Sequence, residues 1–388
     1  MITTNTTEQL STIKTPYYYY NTDILRETLK KVNEETAGHD NYHVHYAIKA
    51  NANPAILSMI KDAGIGIDCV SGGEIEVALK AGFDAKTIMF AGVGKADWEI
   101  ELGLDAGIYC FNVESIPELE VINDIAKSKG KTANVCLRIN PNVGAHTHAN
   151  IMTGLSENKF GIDMVDMMDV ISRISSLDSI KFLGLHFHIG SQILEMNDFV
   201  ALCNRINELQ DKLEKEGINI DVIDVGGGLG VDYDDPMSNP IPAFGDYFAV
   251  YNTHLKLREG QQLHFELGRS LVAQCGSLIT KVLYVKESGG KKFAIVDAGM
   301  TDLIRPALYG AHHKIVNLSS KEEVEKYDVV GPICESSDVF DKDIMLSKTK
   351  RGDLIAILTS GAYGEVMASH YNCRKLPKEF TDKDILSV

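Results

Sequence analysis

Eight short apolar runs, rich in β-branched or aromatic residues, punctuate the first two-thirds of this 388-residue chain. They cover residues 42–48, 66–70, 87–91, 107–111, 134–139, 182–188, 221–225 and 263–267. Most are followed by a pattern of helical period. Eight strand–helix units specify an α/β fold, a closed (β/α)8 barrel of TIM type. A doubly wound open sheet is the rival that strand number alone leaves standing. The helices carry their own punctuation. Asn53-Pro54 opens a helix with Leu57 and Ile60 on one face, ended by Gly64. Ser115 and Glu118 make a capping-box pattern ahead of Leu119, Ile122 and Ile125. Leu202, Ile206, Leu209 and Leu213 form a stripe that stops at Gly217.

After about residue 270 the rhythm changes to strands joined by short polar turns (271–288, 291–299, 328–332 and 353–361). This reads as a C-terminal all-β domain, barrel-like or sandwich-like. The aromatic run Tyr17–Tyr20 is β-prone and is placed with it. The expected division is therefore a barrel over 36–268, with 1–35 and 269–388 forming the β domain.

Acidic residues outnumber basic ones 54 to 38, a net charge of −16. Such a field repels phosphate backbones and anionic lipid, which argues against nucleic-acid and membrane partners. It leaves room for a local basic pocket. No apolar run approaches the roughly 18 residues of a membrane span, and the N-terminal residues lack the apolar core of a signal peptide. The seven cysteines are dispersed and form no CxxC pair. That usage fits a reduced, cytoplasmic protein in which most cysteines are small core residues and one is reactive.

In such a barrel the chemistry sits where the strands end. Polar residues there are Lys49, Asp68, Arg138, His188, Asp224 and Glu266. A lysine that ends an apolar strand is desolvated, so its amine pKa should fall and favour nucleophilic use; snorkelling to the rim is the plainer alternative. The run Gly226–Gly228 to Gly230, after the seventh strand, offers amides unobstructed by side chains, a nest suited to phosphate; glycine clusters also make ordinary tight turns. Glu266 is placed to meet a ring nitrogen. Lysine, phosphate nest and carboxylate together match the needs of pyridoxal phosphate, whose protonated ring draws in electrons. His188 would stack on that ring or be an ordinary core histidine. A competing chemistry comes from the pairs His43/His45, His146/His148 and His186/His188, since histidines two apart share a strand face and can hold a hydrolytic metal.

Nine blocks also resemble the diaminopimelate decarboxylase family of pyridoxal-phosphate enzymes, whose barrel is alanine-racemase-like (fold type III). They are YAIKANANPAIL (46–57), IDCVSGGEIEVAL (67–79), THANIMTGLSENKFGI (147–162), GLHFHIGSQI (184–193), DVGGGLGVDY (224–233), ELGRSLVAQCG (266–276), VDAGMTDLIRPALYGAHH (296–313), VVGPICESSDVF (329–340) and SGAYGEVMASHYNCR (360–374). The resemblance runs from about Tyr17 to Arg374. It implies that Lys49 carries the cofactor covalently, that His188 stacks on the ring and that Glu266 holds the ring nitrogen. Asp68 joins the cofactor site. Ser191, Gly227, Gly228 and the turn at Glu266, Gly268 and Arg269 would hold the phosphate, with Tyr363 reaching it from the β domain. Arg269, Arg305 and Tyr309 would bind substrate carboxylates, with Tyr363 beside them. Cys334, the proton donor, and Glu335, which meets the distal amine, would come from the second subunit of a homodimer. The family has proline where this chain has Leu267, which should relax that turn slightly.

The implied reaction converts meso-2,6-diaminopimelate to L-lysine and carbon dioxide, the last step of lysine biosynthesis. Sister decarboxylases of carboxynorspermidine, ornithine or arginine are the near alternative. The run Arg305-Pro-Ala-Leu-Tyr309 and the TGLSENKFG loop (153–161) favour diaminopimelate, because a second amino-carboxylate needs a second anion site, and Arg269 and Arg305 can grip carboxylate in bidentate fashion. A silent homologue that merely binds a partner has no physical need for Lys49, Glu266, Cys334 and Tyr363 together.

Overall fold

The computed structural model describes residues 4–144 and 159–386. Its centre is a ring of eight parallel strands: Tyr42–Ala47, Gly66–Cys69, Ile88–Phe90, Cys110–Val113, Ala133–Asn140, Ile180–His186, Val222–Asp224 and Gln262–Leu267. Each pairs with the next in sequence. The last pairs with the first, placing Glu266 opposite His45. This closure settles the barrel against the open sheet. Helices surround it, and the core lies between the two layers. Ile56, Leu57 and Ile60 of one helix are buried there, as are Leu202, Ile206, Leu209 and Leu213 of another.

Local signals explain the boundaries. Asn53 caps Pro54–Asp62 by accepting from the Ala55 amide at 2.9 Å. The fourth strand begins at Cys110 rather than 107, because Gly107 takes a left-handed conformation (φ 71°) and closes the preceding helix. Ser115 caps its helix through the Glu118 amide, but the box is half formed. Glu118 turns its carboxylate to the Glu114 amide and to Lys95 instead.

The second sheet joins strands Gly276–Ser288, Lys291–Val296, Ile315–Asn317, Val324–Val330, Val339–Ser347 and Leu354–Ile357. Tyr17–Tyr20 adds to it, antiparallel to Gly276–Ile279 and parallel to Lys378–Thr381. The assignment of all of residues 1–35 to this domain needs correction. Helix Thr22–Thr36 packs on the barrel helices Pro54–Asp62 and Phe244–His254, burying Leu25, Leu29 and Val32. Two hydrogen bonds clamp the domains together: the Tyr363 backbone amide donates to Ala50 O at 2.8 Å, and the Asn51 side-chain Nδ2 donates to Gly361 O at 2.9 Å. Leu267 is fully buried and ends a barrel strand opposite Tyr46. Among the described residues, no helix is long and apolar enough to cross a membrane.

Polar residues fill much of the barrel interior. At its N-terminal end His45 and His264 stack 5.0 Å apart, His45 Nε2 meets His264 Nδ1 at 2.8 Å, and His45 Nδ1 meets Thr87 O at 3.0 Å. His43 turns to Gln262 Oε1. These nitrogens satisfy one another and the backbone instead of converging on a cation. Burial pushes His45 down to about 4 and His264 well below its ordinary value. The unfolded chain therefore takes up protons near pH 6.5 that the folded chain refuses, and stability declines as pH falls from about 6.5 toward 4. Asp68 and Asp224, whose carboxyls are pushed up by burial, act in the opposite sense. A His45→Gln variant isolates one imidazole. Its thermal midpoint should fall less steeply than the parent's over that interval, and parallel curves would remove His45 as a source of acid sensitivity.

Candidate active site

The strand C-termini open into a cavity of about 630 Å³ that the β domain helps to line. Lys49 sits just past the first strand, in the one-turn helix Ile48–Ala50, with 43 % of its side-chain surface accessible because it projects into the cavity. Its Nζ lies 3.7 Å from Asp68 Oδ2. The expected fall in its pKa is overturned. Burial works in that direction, but the charges of Asp68, Tyr363 and Glu266 outweigh it and raise the amine. Burial and Glu266 raise Asp68 in turn, and Lys49 works against them.

Glu266 is held from both sides. Its Oε1 accepts from Asn112 Nδ2 at 3.1 Å, and its Oε2 meets His186 Nε2 at 3.1 Å. Burial alone would raise its pKa, but His186 and Lys49 outweigh burial and keep it a carboxylate. Asp224 beside it is raised by burial and by Glu266. His186, Asp224 and Glu266 present three donors within 4.8 Å. His186 Nε2 is engaged on Glu266 Oε2, and the Gly226 amide donates to Asp224 Oδ1, so these groups already spend ligand atoms on one another and on the backbone. His146 and His148, and most of the TGLSENKFG segment, lie outside the described residues.

His188 borders the cavity, pushed down to about 3 by burial, Arg138 and Lys49, and so remains neutral. The Gly227 amide donates to its Nδ1 at 3.3 Å, which leaves the proton on Nε2. The glycines serve this packing. A Cβ at Gly226 (φ +67°) would come within 2.3 Å of Phe187 O and 2.8 Å of His188 Nδ1. In this structure the Gly226 amide donates to Asp224 Oδ1 and the Gly227 amide to His188 Nδ1, and Gly227 does not line the cavity. Gly228 does line it, at φ +107°, in a corner where a Cβ would press to 2.7 Å from Gly190 O.

Ser191, Gly268, Arg269, Arg305, Tyr309 and Tyr363 also line the cavity. Arg269 donates to Ser191 Oγ at 2.9 Å and lies 5.1 Å from the Tyr363 ring centre. Arg138 pairs with Glu114 at 2.8 Å and stacks on Phe160. Cys334 and Glu335 do not line this chain's cavity. Both are exposed; the Cys334 amide donates to Asn372 Oδ1, and Glu335 accepts from the Tyr371 hydroxyl. Five cysteines are buried, and Cys373 joins Cys334 at the surface, against the expectation that the other six are core residues.

Asn112 and Tyr233 carried no expected role. Asn112 is signalled by being the polar residue in a fully buried strand, and Tyr233 by nothing except its nearness to the glycine run.

An amine at a strand end, a carboxylate locked in its charged form across the cavity and a glycine on the cavity wall define a pyridoxal-phosphate site. The fit shows in the structure: Asp68 Oδ1 is buried at the cavity wall with no hydrogen-bond partner, and Gly228 brings bare backbone to the same wall. The family model of the pyridoxal-dependent decarboxylases, pyridoxal binding domain, matches residues 23–273. The diaminopimelate decarboxylase of Bacteroides thetaiotaomicron is 64 % identical over 98 % of both chains, and that of Zymomonas mobilis 42 % identical over 94 % of this chain and 87 % of its own. The structure of Helicobacter pylori diaminopimelate decarboxylase complexed with L-lysine superposes with a TM-score of 0.90 at 41 % identity, covering 96 % of this chain and 93 % of that one. This chain belongs to the diaminopimelate decarboxylase family, whose members are pyridoxal-phosphate-dependent carboxy-lyases.

Proposed function

We propose that this chain decarboxylates meso-2,6-diaminopimelate to L-lysine and carbon dioxide, closing lysine biosynthesis, as a cytoplasmic homodimer. The observation that carries the reading is the placement of two guanidiniums, Arg269 and Arg305, in the same cavity as Lys49, Asp68 and Glu266. A substrate with one carboxylate to lose and another to be held needs both halves of that cavity.

Bound pyridoxal phosphate supplies an electron sink for the pair left behind by departing carbon dioxide. Lys49 Nζ would be its covalent anchor, and Asp68 would exchange the proton on that amine. The Glu266 carboxylate, held by Asn112 and His186, would keep the ring nitrogen protonated. Neutral His188 would pack against the ring without adding charge. Ser191, Gly228, Gly268 and Tyr363 would hold the phosphate end, while Arg269, Arg305 and Tyr309 would hold the carboxylate that stays. Tyr363 and Lys49 are brought together by the clamp between the domains, so the barrel, with helix Thr22–Thr36 packed on it, binds the cofactor and the β domain completes the site.

The proton that replaces carbon dioxide has no thiol donor within this chain's own cavity. Cys334 Sγ, exposed and outside it, reaches the partner's cavity across a two-fold interface, with Glu335 beside it for the distal amine. Free thiols at all seven cysteines suit a reducing compartment. The charge of −16 suits a small amino-acid substrate better than nucleic acid or membrane.

Carbon dioxide release from meso-diaminopimelate, followed beside carboxynorspermidine, ornithine and arginine, tests the substrate. We expect meso-diaminopimelate to lead by at least about 100-fold in kcat/KM, the cost of leaving a buried charged partner unmet. Equal or faster turnover of a substrate without the second amino-carboxylate centre would overturn the assignment.

A further inference from the structure

Both carboxylate-binding arginines converge on one phenol. The Tyr233 hydroxyl oxygen accepts from Arg269 Nη1 and from Arg305 Nη1, each at 2.7 Å. The guanidinium carbons lie 6.0 and 5.2 Å from the centre of its ring. Tyr233 is buried, yet it borders the cavity. His313 meets the same ring edge-on at 5.1 Å, and its Nε2 lies 3.3 Å from Arg305 Nη1. Two cations drawn to one oxygen repel each other unless that oxygen offsets their charge, and in a buried site the repulsion is little screened.

We propose that Tyr233 is the positioning residue for the second carboxylate: its oxygen bridges Arg269 and Arg305, fixes their spacing, and so sets the preference for a substrate that keeps a carboxylate through the reaction. This rests on the substrate reading given above. The charged groups around the phenol agree with it. Burial alone would raise its pKa, but Arg269 and Arg305 outweigh burial and lower it from the ordinary value near 10. His313, pushed down to about 3 by burial and Arg305, stays neutral and adds no competing charge. Tyr363 and Tyr309 act on the pair through Arg269.

Tyr233→Phe keeps the ring and its packing and removes the oxygen alone. In the holoenzyme we expect the KM for meso-diaminopimelate and the inhibition constant of L-lysine to rise together by about 10- to 100-fold, the range for losing hydrogen bonds to charged groups. kcat should change by less than about 3-fold, because the oxygen acts on binding and not on the reacting carbon. Inhibition by cadaverine, the diamine without carboxylates, should be unaltered. Equal weakening of all three ligands would indicate general distortion and overturn the proposal, as would an unchanged KM. The alkaline absorbance difference near 295 nm between parent and variant reads the phenol without any substrate. A tyrosine ionising below its ordinary range supports the bridge, and its absence refutes it. A parent enzyme inactive on meso-diaminopimelate would strike the substrate reading alone; the absorbance difference and the L-lysine and cadaverine comparison then decide the bridge.

Discussion

Lys49→Ala abolishes the visible absorbance of the cofactor-loaded enzyme and lowers decarboxylation by about 10³-fold or more, the loss expected when a covalent anchor is removed from an otherwise intact site. The residue occupies an exposed corner of the cavity, so alanine leaves the core untouched and the thermal midpoint should stay near the parent's. A visible band that survived would remove Lys49 as the anchor. Cys334→Ala should be inactive for another reason, with cofactor binding intact. When the two inactive chains are mixed and reassembled, half the dimers pair one of each, and one of their two sites regains both groups. Activity should return to about a quarter of the parent level. No recovery would place Cys334 outside the partner's site.

Glu266→Gln keeps the shape of the side chain and removes its charge. Turnover should fall by about 10² to 10³, the usual loss when an electrostatic partner of the reacting system is neutralised, while the cofactor stays bound through Lys49. The reason lies in the surroundings: His186 and Asn112 both aim at the carboxylate, so a neutral amide loses the charge that those groups exist to hold. Steady-state turnover with the visible spectrum alongside decides the matter, and an amide variant with near-parent kcat would dismiss the carboxylate from the chemistry.

The barrel was readable because parallel strands are buried on both faces and therefore appear as unbroken apolar runs, separated by capped helices. The fourth strand was displaced because a glycine at its apparent start is needed to end a helix. The helix Thr22–Thr36 was assigned to the wrong layer for a related reason: Leu25, Leu29 and Val32 announce a covered face but not what covers it. The site shows the same limit more sharply. Lys49 was found by position, yet its electrostatics were inverted, since the carboxylates that raise it arrive from other strands. The glycine run showed bare amides, yet the sequence held no sign that the Gly227 amide meets His188 Nδ1, 39 residues away. Tyr233 gave no signal, because its two partners lie 36 and 72 residues away.

The two hydrogen bonds just after Lys49, from the Tyr363 amide to Ala50 and from the Asn51 side chain to Gly361, carry a further meaning. They join the residues after the anchor to backbone groups of the far domain, and a Cβ at Gly361 would lie 2.0 Å from Val272 O, so a side chain at that glycine would break the joint as surely as a change of loop length. The two domains thus descend as one heritable unit whose seam tolerates neither insertions nor the loss of Asn51 and Gly361, and recombination between relatives should succeed only where crossovers keep residues 50–51 and 361–363 in register.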